Sequence, residues 1–335
     1  METRDILITG GLGFVGSNLA ISLADDGHNV DILDLSKTKR NILGYEPTIR
    51  NIIHGDISDI NVWDSLPIDT YDVIYHLAAN TSHIKAEADP YIDMRANIQG
   101  TINLCEAVKN LDPKPRIIYA CSRSVYGYTP IDELPIDETH ATNPLDSYGI
   151  SKLAAEKYLF KYSYHHDIPL ISFRMANQVG PRQGLHTRSY QMISWIFRQV
   201  SLDEIVGFWG DGLQTRDFCY VGDTVRIYKT AGLEDKVWTD YPIAEVLNLP
   251  GGEYSTWLKA IQTCGKALKK EPKIQFQQYP NKTRIKLENE HSRLSSTKIM
   301  RRIGDTPRTP LVAAFQHMDW YYQNRWDEYL HEGVL

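Results

Sequence analysis

The sequence is poor in cysteine, and its apolar residues never gather into a long run. The 335 residues include only four cysteines, which lie far apart and form no C-x-x-C pair. Such usage argues against a disulfide framework or a zinc site and fits a reducing compartment. No apolar segment approaches the roughly 18 residues that span a membrane. The segment "METRDILITGG" opens directly into a strand pattern, without a charged-then-apolar leader. We therefore expect a soluble, cytoplasmic protein with no metal site.

The sequence also lacks an excess of positive charge. It has 36 lysines and arginines against 42 aspartates and glutamates, which gives a net charge of −6. Proteins that bind nucleic acid usually carry a basic surplus, so we expect no nucleic-acid partner. An anionic ligand would have to be held by a local cluster of positive groups rather than by the overall field.

Short apolar runs alternate with amphipathic stretches through the first 175 residues. Nearly continuous apolar runs are typical of parallel strands that are buried on both faces. Strands separated by helices indicate right-handed crossovers and a doubly wound parallel α/β sheet. The expected strands are residues 5–9, 29–33, 51–55, 73–77, 116–120 and 170–174, and the expected helices are residues 13–26, 90–111 and 147–166.

The rhythm changes after about residue 175, where apolar runs become short and loops become polar. We expect a smaller C-terminal α/β region, packed at the carboxyl edge of the sheet. A chain of this length suits one large domain with an appendage, or two domains. We place the boundary between residues 1–175 and 176–335, although the segments could interleave. The expected helices of the second part are residues 189–201, 222–233, 255–270 and 310–325.

A glycine-rich turn follows the first predicted strand. In "ITGGLGFVGSNLA", Gly10, Gly13 and Gly16 have the spacing of a turn that approaches a pyrophosphate and joins helix to strand. The following helix would direct its N-terminal N–H groups at the phosphates. Asp34 ends the second strand, where an acidic residue would bind the adenosine ribose. The pattern predicts a bound dinucleotide, and the alternative is an ordinary tight turn.

The charge at residue 34 bears on which dinucleotide is bound. A carboxylate there would repel a 2′-phosphate and favours NAD over NADP, although Lys37, Lys39 and Arg40 lie close by and keep NADP open. Asp56 follows the third strand at the same sheet edge, where it either meets the adenine or caps a helix. The predicted cofactor contacts in these segments are Gly10, Gly13, Phe14, Val15, Gly16, Asp34, Asp56 and Ile57.

A tyrosine and a lysine stand four residues apart in "SYGISKLAAEKYL". This spacing places Tyr148 and Lys152 on one face of a helix. A tyrosine with its ordinary pKa near 10 is a poor base. An adjacent ammonium group and a positively charged nicotinamide would stabilise the phenolate and lower that pKa. The pair follows the fifth strand of a predicted nucleotide-binding fold, and we interpret it as catalytic.

Several motifs together resemble one family over nearly the whole chain. They are "TGGLGFVGSNL", "VIYHLAA", "NIQGTINLCEAV", "SRSVYG", "YGISKLAAE", "RMANQVGPRQ", "GDGLQTRDFCYVGDTV" and "VLNLPGG". They resemble the extended short-chain dehydrogenase/reductase family, particularly its nucleotide-sugar epimerases and dehydratases. The resemblance implies a Rossmann-type NAD-binding domain over residues 1–175 and a nucleotide-sugar-binding domain over 176–335. It also implies a homodimer through helices 90–111 and 147–166, although their sequences would equally suit packing on the sheet.

The resemblance assigns catalytic roles to three residues. Tyr148 would be the base, and Lys152 would hold both the tyrosine and the nicotinamide ribose. Ser122, four residues before Tyr126 of "VYG", would bond the reacting sugar oxygen. Asn97 would support the catalytic arrangement. The remaining cofactor contacts that the resemblance implies are Leu77, Ala78, Ala79, Asn97, Tyr148 and Lys152.

The resemblance also suggests how a nucleotide-diphosphate sugar would be held. Asn177 would contact the substrate phosphates, and the planar guanidinium of Arg216 would pair with the pyrophosphate. His83 would border the sugar or be a solvated loop residue. Arg188 would reach the nucleotide or cap the following helix.

The two residues after Ser122 depart from part of this family. The family's 4,6-dehydratases usually carry Asp-Glu there, and its sugar-acid decarboxylases usually carry a glutamate at the second position. Here the residues are Arg123 and Ser124, which we include among the substrate contacts. We therefore expect an NAD-dependent epimerase, most readily at C4 of the sugar. A net oxidoreductase such as a 4-keto reductase is the main alternative, followed by a dehydratase or decarboxylase and then by a non-catalytic NAD-sensing protein.

Overall fold

A seven-stranded parallel sheet is the main element of the structure. The structure is a computed structural model that describes residues 2–185, 192–239, 242–278 and 291–330, without the side chains of residues 83–85 and 330. The strands of this sheet are β1 (Asp5–Thr9), β2 (Asn29–Asp34), β3 (Asn51–His54), β4 (Val73–His76), β5 (Arg116–Ser122), β6 (Leu170–Met175) and β10 (Ala244–Leu249). They lie in the order β10-β6-β5-β4-β1-β2-β3, and every neighbouring pair is parallel. The predicted Rossmann-type doubly wound sheet is thereby confirmed.

Helices cover both faces of this sheet, because successive side chains of a buried strand point to opposite sides. One core cluster joins α1 (Phe14–Asp25) and α8 (Val221–Leu233) to the sheet. The other joins α5 (Gly100–Val108) and α6 (Ser147–His166). The remaining helices are α2 (Ile60–Asp64), α3 (His83–Ala88), α4 (Pro90–Asp93), α7 (Met192–Ser201), α9 (Trp257–Leu268), α10 (Thr297–Ile303), α11 (Leu311–Tyr322) and α12 (Trp326–Leu330).

Two smaller sheets are built from the second half of the chain. They consist of β7 (Asn177–Val179), β9 (Thr215–Tyr220) and β11 (Glu253–Thr256) in the order β11-β9-β7, and of β8 (Ile205–Trp209) paired with β12 (Lys273–Gln277). A separate core cluster centred on aromatic side chains holds them against α7, α9 and α11. The seventh strand of the large sheet, β10, also comes from this half and pairs with β6. The functional division at residue 175 stays a prediction. The second part of the chain contributes β10 to the sheet that the first part forms.

The predicted helix 90–111 is interrupted. It consists of α4, a π-helical segment Met94–Gln99, and α5. The wider π turn contains Asn97, whose side chain is buried and bonded to the loop after β4 and to α6. Single π turns inside α-helices often accompany functional sites. None of the helices within the described ranges is both long enough and apolar enough to cross a membrane.

A buried ion pair connects α6 to the sheet. The Glu156 carboxylate accepts from the Arg174 guanidinium at 2.6 Å and from the Ser172 hydroxyl at 2.8 Å. The two charged side chains are 1% and 4% exposed. The Arg174 guanidinium also lies 4.8 Å from the centre of the Tyr126 ring. Glu156 lies one helical turn after Lys152, so this pair fixes the helix that carries the predicted catalytic residues.

Breaking this pair should destabilise the fold strongly, because the remaining arginine would keep an uncompensated buried charge. Glu156→Ala is expected to lower the free energy of unfolding by about 3–5 kcal/mol. Glu204→Ala removes an exposed partner of Arg198 and should change it by less than about 1 kcal/mol. Urea denaturation followed by tryptophan fluorescence measures both. Equal destabilisation by the two variants would contradict the structural role of the buried pair.

Candidate active site

The candidate site lies where β5 ends and α6 begins. Ser122 is the last residue of β5, and its hydroxyl accepts the Ser124 N–H at 3.1 Å, which starts a short 3₁₀ turn at Arg123–Tyr126. The α6 helix begins after Asp146, whose carboxylate caps it by accepting the Gly149 N–H at 2.7 Å. Tyr148 therefore occupies the first turn of α6 and Lys152 the second.

Gly149 allows the helix to approach this strand end closely. A Cβ atom on this residue would lie 2.8 Å from the Ser124 carbonyl oxygen and 2.9 Å from the Pro144 side chain. Such distances are shorter than van der Waals contact, so only glycine fits. The close approach places Tyr148 within hydrogen-bonding reach of the Ser122 hydroxyl. The structure thus brings Ser122 and Tyr148 together.

The electrostatic environment of these residues is set by burial. Desolvation raises the pKa of the Tyr148 phenol well above 10, and the hydrogen bond with Ser122 acts in the opposite direction. Desolvation lowers the pKa of Lys152 to about 8, while the acidic groups of Asp93 and Glu156 act to raise it. The Lys152 ammonium lies 4.3 Å from the centre of the Tyr119 ring. Lys152 is therefore mostly protonated at pH 7, although it is only 2% exposed.

A buried polar network connects the start of α6 to the π-helical segment Met94–Gln99 and to the loop after β4. The Asn97 side-chain amide accepts the Asn80 N–H at 2.9 Å and donates to the Ser151 hydroxyl at 2.8 Å. The Asp93 carboxylate accepts from the Asn80 amide at 2.6 Å. Asn97 thus connects the loop after β4 to the start of α6, and its predicted role in catalysis stays a prediction. Sequence reasoning missed Asn80, Asp93 and Ser151, although Ser151 stands directly before the lysine of the Tyr-Lys motif.

The predicted glycine turn lies between β1 and α1 at the same edge. Gly10 has a φ of +72°, a backbone conformation that favours glycine. A Cβ on Gly16 would lie 2.2 Å from the Gly10 carbonyl oxygen. Gly13 precedes the first helical residue, Phe14, so the N–H groups of Phe14 and Val15 lie at the N-terminus of a 12-residue helix. This turn fits a dinucleotide pyrophosphate, which needs a close backbone approach and a helix N-terminus.

The other predicted cofactor residues lie at the ends of β2, β3 and β4, at the same edge of the sheet. The Asp34 carboxylate accepts the Leu12 N–H at 2.9 Å and the Ser36 N–H at 2.8 Å, while burial raises its pKa. The Ala78 N–H donates to the Thr9 hydroxyl, and the backbone of Leu77 and Ala78 passes directly beside Gly10, with Ala79 next in the chain. The Asp56 carboxylate accepts from the Ser58 N–H and hydroxyl at 2.8 Å, in the loop after β3. Ile57 is buried and packs against Gly100.

Two of the predicted substrate residues, Asn177 and Arg216, lie on β7 and β9 in the second half of the chain. Arg123 donates through Nε to the Asn177 side-chain oxygen at 2.8 Å, which joins the end of β5 to β7. Arg216 lies on β9, where its guanidinium donates to the Thr215 carbonyl oxygen and faces the Trp257 ring. Beside it, burial raises the pKa of Asp217 to about 6, whereas backbone N–H groups and the charges of Arg293 and Arg123 act to lower it. Arg188 and the side chain of His83 lie outside the described residues.

An open cleft of about 550 Å³ occurs elsewhere on the molecule, where α1 meets α11. Asn18, Arg182, Trp320, Tyr321 and Arg325 contribute to its walls. It shares no residue with the Ser122, Tyr148 and Lys152 set. The side chains of Ser122, Tyr148 and Lys152, which suit proton transfer, lie at the sheet edge and not in this cleft.

Comparison with known proteins agrees with this fold and identifies the family. Residues 6–244 match the model of the NAD dependent epimerase/dehydratase family. UDP-glucose 4-epimerase of Mycolicibacterium smegmatis is 33% identical over 230 residues, which are 68% of this chain and 72% of that protein. UDP-glucuronic acid decarboxylase 1 of Danio rerio is 29% identical over 283 residues, which are 82% of this chain and 63% of that protein.

A solved structure of a similar protein shares the whole fold. UDP-glucose 4-epimerase of Thermotoga maritima, determined with UDP-glucose, has a TM-score of 0.81 and 23% identity and covers 96% of this chain and 99% of its own. The NAD dependence of the matched family confirms the predicted cofactor. The family match spans the glycine turn, both predicted catalytic segments and the six N-terminal strands of the large sheet. This chain is a member of the NAD-dependent epimerase/dehydratase family of nucleotide-sugar enzymes.

Proposed function

We propose that this protein is a nucleotide-sugar epimerase that inverts C4 of the sugar through a transient keto sugar. The observation that carries the proposal is the hydrogen bond between Ser122 and Tyr148, which lies one helical turn before Lys152 on α6. In the chain, Ser122 is followed directly by Arg123 and Ser124. The first three residues suit reversible oxidation of a hydroxyl. The last two supply no carboxylate for a further elimination or decarboxylation.

The chain's own residues suit NAD. The turn from Gly10 to Gly16 would hold the pyrophosphate, Asp34 the adenosine ribose, and Lys152 the nicotinamide ribose. Asp56 and Ile57 would border the adenine, while residues 77–79 would line the dinucleotide beside Gly10. When bound, NAD⁺ would accept a hydride from the sugar and return it to the opposite face.

Tyr148 would remove the proton from the sugar hydroxyl and later give it back. Its raised pKa makes the phenolate costly to form, so catalysis needs positive charge nearby. Lys152 supplies such charge on the same helical face, because it stays mostly protonated at neutral pH. The Ser122 hydroxyl bonds the phenol and would also donate to the sugar oxygen, which holds the reacting atoms in line.

We propose a UDP-linked hexose as the substrate class, supported by the similarity to UDP-glucose 4-epimerases. Asn177 and Arg216 would hold the diphosphate, and Arg188 and His83 remain proposed contacts. Arg123 and Ser124 would border the sugar. A guanidinium pairs readily with phosphate or sugar oxygens, which suits Arg123 to a binding role.

Elimination and decarboxylation fit the site less well, although a decarboxylase is among the similar proteins. Besides Glu156, which is paired with Arg174, two buried carboxylates lie near the described site. Asp93 is bonded to Asn80, and Asp217 accepts the Leu294 N–H at 2.6 Å. Neither follows Ser122 directly in the chain, where the resembled dehydratases and decarboxylases carry their acids.

A product screen tests the proposed reaction. The purified protein is incubated with UDP-, GDP-, CDP- and dTDP-sugars in deuterated water, and the products are identified by NMR. We expect a C4 epimer of a UDP-hexose without solvent deuterium at carbon and without net change in absorbance at 340 nm. Stoichiometric change at 340 nm would show a net oxidoreductase. Released water or carbon dioxide would show a dehydratase or decarboxylase, and NAD binding without turnover would show a sensing protein.

We also propose that the protein is a cytoplasmic homodimer. Ile150, Tyr158 and Tyr164 are exposed along one side of α6, and Tyr91 and Met94 are exposed on the neighbouring helical segment. Apolar side chains in this number on adjoining helices suit an interface between two copies. All four cysteines are free and buried, which suits a reducing compartment. Sedimentation that finds only monomer at micromolar concentration would contradict the dimer.

Removal of the proposed base should abolish most turnover. Tyr148→Phe is expected to reduce kcat by about 10²–10⁴-fold, because the phenol is the group that transfers the proton. Tyr158→Phe alters an exposed tyrosine of the same helix and is the matched control. Steady-state epimerisation, with NAD binding by calorimetry, distinguishes lost chemistry from lost binding. A Tyr148→Phe enzyme with near-normal turnover would exclude this base.

Replacement of Lys152 should change how the stability of the protein depends on pH, because the buried ammonium group is costly to desolvate. Its folded-state pKa of about 8 lies below the ordinary value of 10.5, so the unfolded chain binds more protons between these pH values. The wild-type protein should therefore gain stability relative to Lys152→Met as pH rises from 8 to 10.5. Below pH 8 we expect the variant to be the more stable protein but inactive.

Denaturation midpoints at pH 7 and pH 10 measure this difference. Lys157→Met, at an exposed position of the same helix, serves as the control for general charge removal. A stability difference between wild type and Lys152→Met that is the same at both pH values would contradict the perturbed titration.

A further inference from the structure

Asn41 holds the glycine turn from outside the dinucleotide site. It lies in the loop after β2 and is 7% exposed. Its side-chain amide donates to the Leu12 carbonyl oxygen at 2.8 Å. The Leu12 N–H donates to the Asp34 carboxylate at 2.9 Å. Leu12, between Gly10 and Gly13, is thus held at its N–H by Asp34 and at its carbonyl oxygen by Asn41.

The C-terminal helices hold Asn41 in turn. The Tyr329 hydroxyl donates to the Asn41 side-chain oxygen at 2.7 Å, across 288 residues of chain. The Tyr329 and Tyr321 hydroxyls are 2.8 Å apart, and the Arg325 guanidinium donates to Tyr321. Tyr329 is fully buried. These bonds form one directional series, in which each group donates to the next and the series ends at the Leu12 carbonyl oxygen.

The amide of Asn41 has one orientation that satisfies this series. An asparagine side chain offers an acceptor at its oxygen and donors at its nitrogen. Because Tyr329 donates to the oxygen, the nitrogen must face Leu12. The backbone carbonyl of Asn41 also accepts from Arg182 at 2.8 Å, and the Arg40 guanidinium lies 5.0 Å from the centre of the Tyr329 ring. Asn41 is therefore held on three sides, and little freedom remains for it to release the turn.

We infer that Tyr329 and Asn41 are positioning residues for NAD, so that the C-terminal helix α12 sets the affinity of the glycine turn for the cofactor. The inference rests on the proposed use of this turn as the pyrophosphate site. Neither residue needs to touch the cofactor. Their effect passes through Leu12, whose peptide unit forms the part of the turn between Gly10 and the start of α1. Loss of one bond would leave a buried oxygen or amide without its partner and loosen the turn.

Two tyrosine variants separate this role from general stability. Tyr329→Phe removes the hydroxyl that holds Asn41. Tyr322→Phe is the matched control, because its equally buried hydroxyl donates to the Gln183 carbonyl oxygen at 2.6 Å, outside the series. Both variants of the full chain should melt at lower temperature without NAD. Only Tyr329→Phe should raise the Kd for NAD, by about five- to tenfold for one lost hydrogen bond. Calorimetric titration with NAD measures the Kd.

An isosteric variant keeps the test decisive if Tyr329→Phe fails to fold. Asn41→Asp retains the shape and can still accept from Tyr329, but its carboxylate cannot donate to the Leu12 carbonyl oxygen. We expect it to weaken NAD binding by at least tenfold, because two oxygens would then face each other. Equal NAD affinity of Tyr329→Phe and Tyr322→Phe, or wild-type affinity of Asn41→Asp, would overturn the positioning role. A wild-type protein that binds no NAD would instead overturn the proposed cofactor site as well.

Discussion

The close approach of the first turn of α6 to the end of β5 is the contact on which the proposed site depends. Gly149 makes it possible, because any side chain would collide with the Ser124 carbonyl oxygen. The approach gives Tyr148 a hydrogen bond to Ser122 and places it in a desolvated environment. Asp146 starts the helix at the correct residue, and Ser151 ties it to Asn97. Backbone packing thus fixes the relative positions of two side chains that belong to different elements.

Buried polar groups hold this contact in place from two directions. The ion pair of Glu156 and Arg174 joins α6 to β6, and the amides of Asn80 and Asn97 join it to the loop after β4. Such groups are costly to bury unless they are fully paired, so each restricts the arrangement of its neighbours. The same principle operates at the cofactor side, where Asn41 connects the glycine turn to the C-terminal helices. The proposed site therefore depends on several polar contacts around its rim.

Arg123 joins the two parts of the molecule at this rim. Its bond to Asn177 links the strand end that carries Ser122 to the sheet that carries Arg216. In the resembled dehydratases and decarboxylases an acid occupies this strand end. A carboxylate at this strand end could transfer a second proton. The guanidinium of Arg123 instead attracts anionic or electron-rich oxygens. The proposal of simple epimerisation follows from this difference in charge.

The sequence alone determined six strands of the large sheet and the motifs that follow them, because nearly continuous apolar runs and a glycine turn are local patterns. The predicted strand 5–9 and helix 147–166 match β1 and α6 residue for residue. The tertiary structure decided the rest. Contacts between distant residues decide three features. They place β10 in the large sheet, they widen the helix around Asn97 into a π turn, and they bring Tyr329 to Asn41. Local periodicity reports which residues are buried and in which element, but it carries no information on which buried partner each polar group will find.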